Sequence, residues 1–259
     1  YELNKIFFDS MHIRKPDFFL NSSKKNAVDT IAETIKKFNK ILIKIKPDAV
    51  LVYGDTNTAL AVLAAKKLKI PIFHMEAGNR CFDNEVPEEI NRKIVDHLSD
   101  INIVISENAK NYLEREGVDP SRIIKSGSSM NEVLKYYQSS ISKSKILNKL
   151  KLKKKGYILY SFHREENVDK KEKLEEIIKS IDLLVAKFKS KIIVSTHPRT
   201  KDNLKKFNLD ALSKYIEFKS PFSFIDYIKL QKNSKLVISD SGTISEEAYL
   251  LKIPAVNMR

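Results

Sequence analysis

Nine short runs of apolar and β-branched residues recur along this chain, most of them followed by a stretch of helical period, and that alternation limits the fold more than any other feature. The runs are Ala49–Tyr53, Ile70–Met75, Asn102–Ile105, Arg122–Lys125, Tyr157–Phe162, Lys191–Thr196, Ile216–Lys219, Leu236–Ser239 and Ile253–Val256. Continuous apolar runs of this length read as buried strands. Helical period is clear in Ala27–Ile45, where Val28, Ile31, Ile35, Phe38, Ile41 and Leu42 recur. A helix is predicted after Thr58 through Lys69, and Pro87 opens another at a position where a missing N–H costs nothing, with Ile90, Ile94, Val95 and Leu98 as its apolar positions. Further helices are predicted over 107–116, 172–188, 204–212 and 224–232, and on to Leu251 at the end. Strands alternating with helices build mainly parallel, doubly wound α/β sheets.

The character of the chain shifts at 136–156, YYQSSISKSKILNKLKLKKKG, which is basic and low in β-branched runs. This reads as a linker with a helical piece. It leaves residues 1–135 as an N-terminal Rossmann-like domain and 157–259 as a C-terminal one, the two facing across a cleft. The chain opens at Tyr1 in a helix or loop and stops at Arg259 just past an apolar strand, which predicts a part of a longer protein with both domains incomplete.

With 42% hydrophobic and 31% charged residues over 259 positions, the chain can bury a sizeable core. Its apolar runs are far too short to span a bilayer, and no leader argues for export, so the expected location is the cytoplasm. One cysteine, Cys81, excludes an intrachain disulfide. A net charge of +14 is spread along the chain, with one local cluster at 149–155. That distribution argues against nucleic acid and a membrane as partners and suits attraction of an anionic small molecule.

Five of the strands end in polar clusters: Asp55, His74 with Glu76, His163 with Arg164, His197 with Arg199, and Asp240 with Ser241. Ligands of open α/β sheets bind beyond the carboxyl ends of the strands. There is no G-x-G-x-x-G, no P-loop and no zinc spacing, so neither a dinucleotide cofactor nor a metal is expected. Each cluster also has a plainer reading. Asp55 suits a helix N-cap. Glu88 and Glu89 sit in a first helical turn, where acids are favoured, and Arg92 lies four residues from both Glu88 and Asp96 on one helix face. His74 and His97 read as structural. Ser241-Gly242-Thr243 ahead of a helix suits an anion approaching backbone N–H groups, and Glu247 is placed to accept from hydroxyls of the same ligand.

The motifs GDT (54–56), HMEAGNR (74–80), VPEEINR (86–92), HREEN (163–167), THPR (196–199) and SDSGTISEE (239–247) resemble, in order and over nearly the whole chain, the non-hydrolysing UDP-N-acetylglucosamine 2-epimerases. The wording HMEAGNRCFD with VPEE is most similar to the branch that forms UDP-N-acetyl-L-fucosamine from UDP-2-acetamido-2,6-dideoxy-L-talose for capsule or O-antigen synthesis. Asn79 and Glu165 carry that preference. The resemblance implies two Rossmann-like domains as in GT-B glycosyltransferases, a UDP-activated 2-acetamido sugar as substrate, a homodimer, and inversion at C2 without cofactor or metal, by elimination and re-addition of UDP through a 2-acetamidoglycal. By motif position it assigns Asp55, Glu76, Glu88 and His163 to catalysis. It assigns Arg80, Arg164, Asn167, His197, Arg199, Ser241, Gly242 and Glu247 to substrate binding. The family's opening strand with its Gly-Thr-Arg-Pro-Glu loop and its late Arg-Pro-Glu segment are not in this sequence. A UDP-GlcNAc/UDP-ManNAc 2-epimerase, a hydrolysing relative, a GT-B glycosyltransferase, and a non-catalytic binder of UDP-sugars or nucleic acid are the alternatives.

Overall fold

The computed structural model describes residues 8–209 and 215–258. The chain divides into two compact units: residues 16–129 form one, and residues 130–258 with 8–15 form the other.

The first unit runs α1 (Ala27–Ile45), β1 (Val50–Tyr53), a 3-10 turn (Asn57–Ala61), α2 (Val62–Lys67), β2 (Ile72–Ala77), α3 (Pro87–Leu98), β3 (Ile101–Val104), α4 (Glu107–Arg115) and β4 (Ile123–Lys125). Its four strands are parallel, in the order β1-β2-β3-β4. Asn26 caps α1 by accepting from the Asp29 N–H, and Ser106 caps α4 in the same way. Ile72, Ala65, Val62, Leu42 and Val95 form the centre of the core.

Two expectations fail here. β1 is predicted to be buried, yet Leu51 and Tyr53 are 64% and 58% exposed: only the face carrying Val50 and Val52 packs on the core. On α3, the apolar Ile90 and Ile94 face solvent, while Glu89, Asn91 and Asp96 are buried with Val95. The helix turns its polar groups inward because they have long-range partners there.

The second unit begins with three short helices, α5 (Ser129–Tyr136), α6 (Gln138–Lys143) and α7 (Ile146–Lys149). Residues 130–156 thus pack with this unit; Ile141, Ile146 and Leu147 are buried. Then follow β5 (Tyr157–Phe162), α8 (Glu165–Val168), α9 (Lys171–Phe188), β6 (Lys191–Thr196), α10 (Pro198–Lys206), β7 (Ile216–Lys219), α11 (Phe224–Asn233), β8 (Leu236–Ser239), α12 (Ile244–Leu251) and β9 (Ala255–Asn257). The sheet is parallel throughout, with order β7-β6-β5-β8-β9.

Alternation along β5 feeds two cores. Ile158, Tyr160 and Phe162 pack with Leu174, Ile178 and Ile181 of α9. Tyr157 and Leu159 pack on the opposite face with Leu230 of α11, Ile244 of α12 and Leu147 of α7. Burial on both faces is why these strands read as unbroken apolar runs.

α10 starts at Pro198, six residues before the helix expected from Leu204, and residues 210–212 of that expectation lie outside the described residues. His197 caps α10 and Pro198 occupies its first turn. Only Thr200 and Leu204 of α10 are buried, so its apolar period is faint.

Candidate functional site

In the second sheet the strand order reverses between β5 and β8. Crevices at such switch points are where open α/β sheets take ligands. The segments leaving these two strands are 163–167 and 240–243, and Asp240 joins them. This fully buried carboxylate accepts at Oδ2 from the backbone N–H of His163 and of Arg164, both at 3.0 Å, and from Asn167 Nδ2 at 2.9 Å. Its own carbonyl accepts from Arg164 Nε at 2.8 Å. His163 Nδ1 lies 3.1 Å from Asp240 Oδ1, close enough to pair but without the alignment of a hydrogen bond. Burial alone would raise the Asp240 pKa; the His163 ring and this set of N–H donors outweigh it and lower it to about 2. The His163 ring is half-exposed, with its centroid 6.3 Å from that of His197. Burial, and then the charges of His163 and Arg199, lower the His197 pKa.

Below the segment 241–243 lies a polar network. The Ser241 N–H donates to Ser239 Oγ, which meets Ser161 Oγ at 2.8 Å. Ser161 also meets the Tyr227 hydroxyl at 2.9 Å, and burial pushes that phenol up to about 12. Glu247 accepts from Thr243 Oγ1 at 2.7 Å and from buried Gln231 Nε2 at 2.5 Å, so both of its oxygens are oriented. Ser241 Oγ is 3.0 Å from Thr243 Oγ1, and Gly242 is exposed at the tip.

Not every expected binding residue points at open space. Asn167 is engaged by Asp240. Arg164 is divided between the Asp240 carbonyl and Glu166. Arg199 is forked onto Asp169 and reaches Glu165 at 2.5 Å, which raises its pKa and occupies its charge.

The first unit gathers carboxylates at the ends of β1 and β2. Asp55 is not a helix cap: the 3-10 turn is preceded by Thr56, with no side-chain cap. Instead Asp55 Oδ2 accepts from Arg92 Nε at 2.5 Å, while Asn91 Nδ2 donates to the Asp55 carbonyl at 2.9 Å. Arg92 therefore pairs with Asp55 and Glu89, not with Glu88 and Asp96. Glu76 sits in a bulge of β2, where the register shifts between Met75 and Ala77, with φ of 68°. Left-handed backbone is rare for a residue with a Cβ and clusters at functional sites. A Cβ added to Gly54, itself at φ 77°, would stand 3.3 Å from Glu76 Oε2, so Gly54, the residue before Asp55, leaves the carboxylate its room.

Adjacent acids on α3 differ. Glu89 is fully buried and accepts from the Cys81 and Phe82 N–H groups and from Arg92. Desolvation raises its pKa, but those donors together bring it below the ordinary value. Glu88 is half-buried in the first turn of α3, and no hydrogen bond or ion pair among the described residues engages it. Arg80, expected at the substrate, has an enclosed guanidinium that donates to Asp96 at 2.7 Å and to Glu116 at 2.8 and 2.6 Å. Burial works against that charge, but the Glu116 hydrogen bonds and Asp96 more than compensate, raising its pKa. Among the described residues, no group of three or more His, Cys, Asp or Glu could hold a metal ion. No helix there is long and apolar enough to cross a membrane.

The sequence reading did not assign Asp96, Glu89, Asn91, Gln231 or Asp240 to the site. Of these, Asp240 carried a local signal, since it stands at a polar strand end.

The family model described as UDP-N-acetylglucosamine 2-epimerase matches residues 1–259. The chain belongs to this family. Its members named in full are epimerases, and hence isomerases. A UDP-N-acetylglucosamine 2-epimerase homolog from Methanococcus maripaludis is 42% identical, over 100% of this chain and 73% of its own. The structure of the family's Rickettsia bellii UDP-N-acetylglucosamine 2-epimerase has a TM-score of 0.89 at 50% identity, covering 100% of this chain and 68% of that one. The Methanocaldococcus jannaschii enzyme, solved in complex with UDP-GlcNAc and UDP, has a TM-score of 0.91 at 37% identity, over 99% of this chain and 72% of that one. These neighbours share the α/β build with parallel sheets found in both units.

Proposed function

We propose that this chain inverts C2 of a UDP-activated 2-acetamido sugar. The observation that carries the reading is Glu76, held in a left-handed bulge against Gly54, the residue before Asp55, in a chain of the 2-epimerase family. A carboxylate base takes the C2 proton. The C–H electron pair becomes the C1–C2 double bond, the C1–O bond to UDP breaks with its electrons leaving on the diphosphate, and a 2-acetamidoglycal forms. A carboxylic acid then returns a proton to the other face of C2 as UDP re-adds at C1. Paired carboxylates suit the two proton transfers. The first unit supplies Asp55, Glu76 and Glu88 for them; among the described residues Glu88 has no hydrogen bond or ion pair.

The second unit supplies the groups for UDP. His163, steadied by Asp240, and Arg164 face the leaving diphosphate; Ser241 and the backbone at Gly242 take phosphate; Glu247 takes ribose hydroxyls. His197 borders this set, and Asn167 and Arg199 act through the loops they tie. The same reading takes the chain as a cytoplasmic homodimer.

For the sugar, Asn79 and Glu165 support UDP-2-acetamido-2,6-dideoxy-L-talose, and so a role in capsule or O-antigen synthesis. The names of the similar proteins support UDP-GlcNAc as the second reading. Proton NMR of the full-length enzyme in D2O with each UDP-sugar tests both. Deuterium at C2 of an intact UDP-sugar is the expected result, and the sugar that exchanges decides between them. Tight UDP binding with no exchange of either sugar would remove the epimerase reading.

A further inference from the structure

The left-handed bulge at Glu76 interrupts a strand that is otherwise regular. A residue with a Cβ stays in that conformation only where its surroundings over-determine it. One buried carboxylate does so. Asp96 of α3 accepts from His74 Nδ1 at 2.8 Å, from the Gly78 N–H at 3.2 and 3.3 Å, and from Arg80 Nη1 at 2.7 Å. These donors stand two residues before Glu76, two after it and four after it. The other His74 nitrogen, Nε2, faces the Gly54 carbonyl at 3.0 Å, and the Gly54 N–H donates to the Met75 carbonyl at 3.1 Å. The chain that carries Asp55 is thereby tied to the chain that carries Glu76.

We propose that the buried Asp96–His74 pair is a positioning device that clamps both flanks of the Glu76 bulge and holds the Gly54-Asp55 strand end beside it. The inference rests on the epimerase reading, in which Glu76 and Asp55 meet the sugar.

The neighbours of the pair are consistent with this. His74 and Asp96 are 0% and 1% exposed. Both ring nitrogens of His74 face acceptors, a carboxylate and a carbonyl, and an imidazole donates twice only when both nitrogens carry protons. Arg80 pairs with both Asp96 and Glu116, with His97 at 3.5 Å on the outer side of Glu116. From β3, Asn102, in register with His74, donates to the Asp96 carbonyl at 3.0 Å. Gly78, at φ 75°, has no room for a Cβ, which would stand 2.5 Å from the Ala109 carbonyl oxygen. The bulge therefore has one way to leave the strand.

The test uses the full-length enzyme and reads deuterium incorporation at C2 beside UDP affinity. Asp96→Asn and His74→Asn should lower kcat by about 100-fold, the scale of a small misplacement of a catalytic group. KM and the UDP Kd should stay within about threefold, because no contact to substrate is removed. His74→Gln, which keeps a donor toward Gly54, should recover activity to within about tenfold of wild type. Proton–nitrogen correlation spectra of labelled histidine should show both His74 ring nitrogens protonated in the wild type. The clamp is overturned if folded Asp96→Asn and His74→Asn turn over within about threefold of wild type. It is overturned equally by a His74 ring with one bare nitrogen. Should an asparagine variant fail to fold, the glutamine variant and the ring spectrum still decide. A wild-type enzyme that exchanges neither UDP-sugar would sink the epimerase reading instead, leaving the ring spectrum to judge the clamp.

Discussion

The two units hold their polar groups by opposite means. The first unit buries charge in a network: Asp96 and Glu89 of α3 answer His74, Arg80 and Arg92, and Asp55 at the end of β1 is braced by Arg92. Among the described residues, the second unit buries one carboxylate, Asp240, and surrounds it with N–H donors. The first arrangement fixes where carboxyl groups stand, which is what proton transfer asks for. The second fixes the path of a loop and turns a histidine toward solvent, which is what an anion asks for. The difference extends to the cores. Sheet β5–β9 is packed on both faces by apolar helices, whereas α3 spends its inward face on polar partners and leaves Ile90 and Ile94 outside.

The sharpest way to break the proposed division of labour is to remove one acid. Glu88→Gln should lower C2 exchange by about 1,000-fold, within the range for losing a general acid or base. UDP affinity, read by calorimetry, should move by less than about threefold, because the titrating group is lost while the shape remains. Turnover near the wild-type rate would take Glu88 out of the chemistry.

Next in size is the buried carboxylate of the second unit. Asp240→Asn should destabilise that unit by about 3 kcal/mol, since it leaves several donors without a charged acceptor. The pH dependence follows from the depressed pKa. A carboxyl with a folded value of about 2, against an ordinary 3.8, contributes stability that is fully present above pH 4 and is lost as the pH falls through 2. Thermal melts from pH 7 to pH 2 should show an acid limb of about 2 kcal/mol in the wild type that is shallower in Asp240→Asn. Identical limbs would mean that Asp240 is not the group lost in acid.

A smaller effect is expected at the nucleotide. Glu247→Ala should weaken UDP by about 1–3 kcal/mol if its oriented carboxylate takes ribose hydroxyls. The same Kd in both proteins would leave Glu247 as a partner of Gln231 and Thr243 alone. The smallest change belongs to Arg199. Its pairs with Glu165 and Asp169 are substantially exposed, so Arg199→Ala should cost less than about 1 kcal/mol of stability. UDP affinity should hold, and a tenfold drop would return Arg199 to the ligand.

The doubly wound sheets were legible because strand burial on both faces leaves a continuous apolar run. Tyr157–Phe162, Lys191–Thr196, Ile216–Lys219 and Leu236–Ser239 fall where the residues alone place them. So does α1, through its period and the Asn26 cap. What stayed hidden depends on partners far along the chain. Nothing near Ile90 and Ile94 tells that α3 faces inward with Glu89 and Asp96, because the donors lie at 74–82. The start of α10 at Pro198 was masked by a helix with only two buried residues. The φ of Glu76 has no local signature, since glycine, the usual occupant of that region, is absent from the position. Motif position could nominate Arg80, but only the fold reveals that Glu116, 36 residues away, occupies half of its guanidinium.

The bulge at Glu76 sets durability against turnover. Glycine there would relieve about 1 kcal/mol of backbone cost and would remove the carboxylate in the same step. Under the proposed mechanism, screening variants of this protein for heat resistance alone would favour losing Glu76 and, with it, the carboxylate that the chemistry uses. On that mechanism, hardening the enzyme means holding position 76 fixed and seeking stability elsewhere.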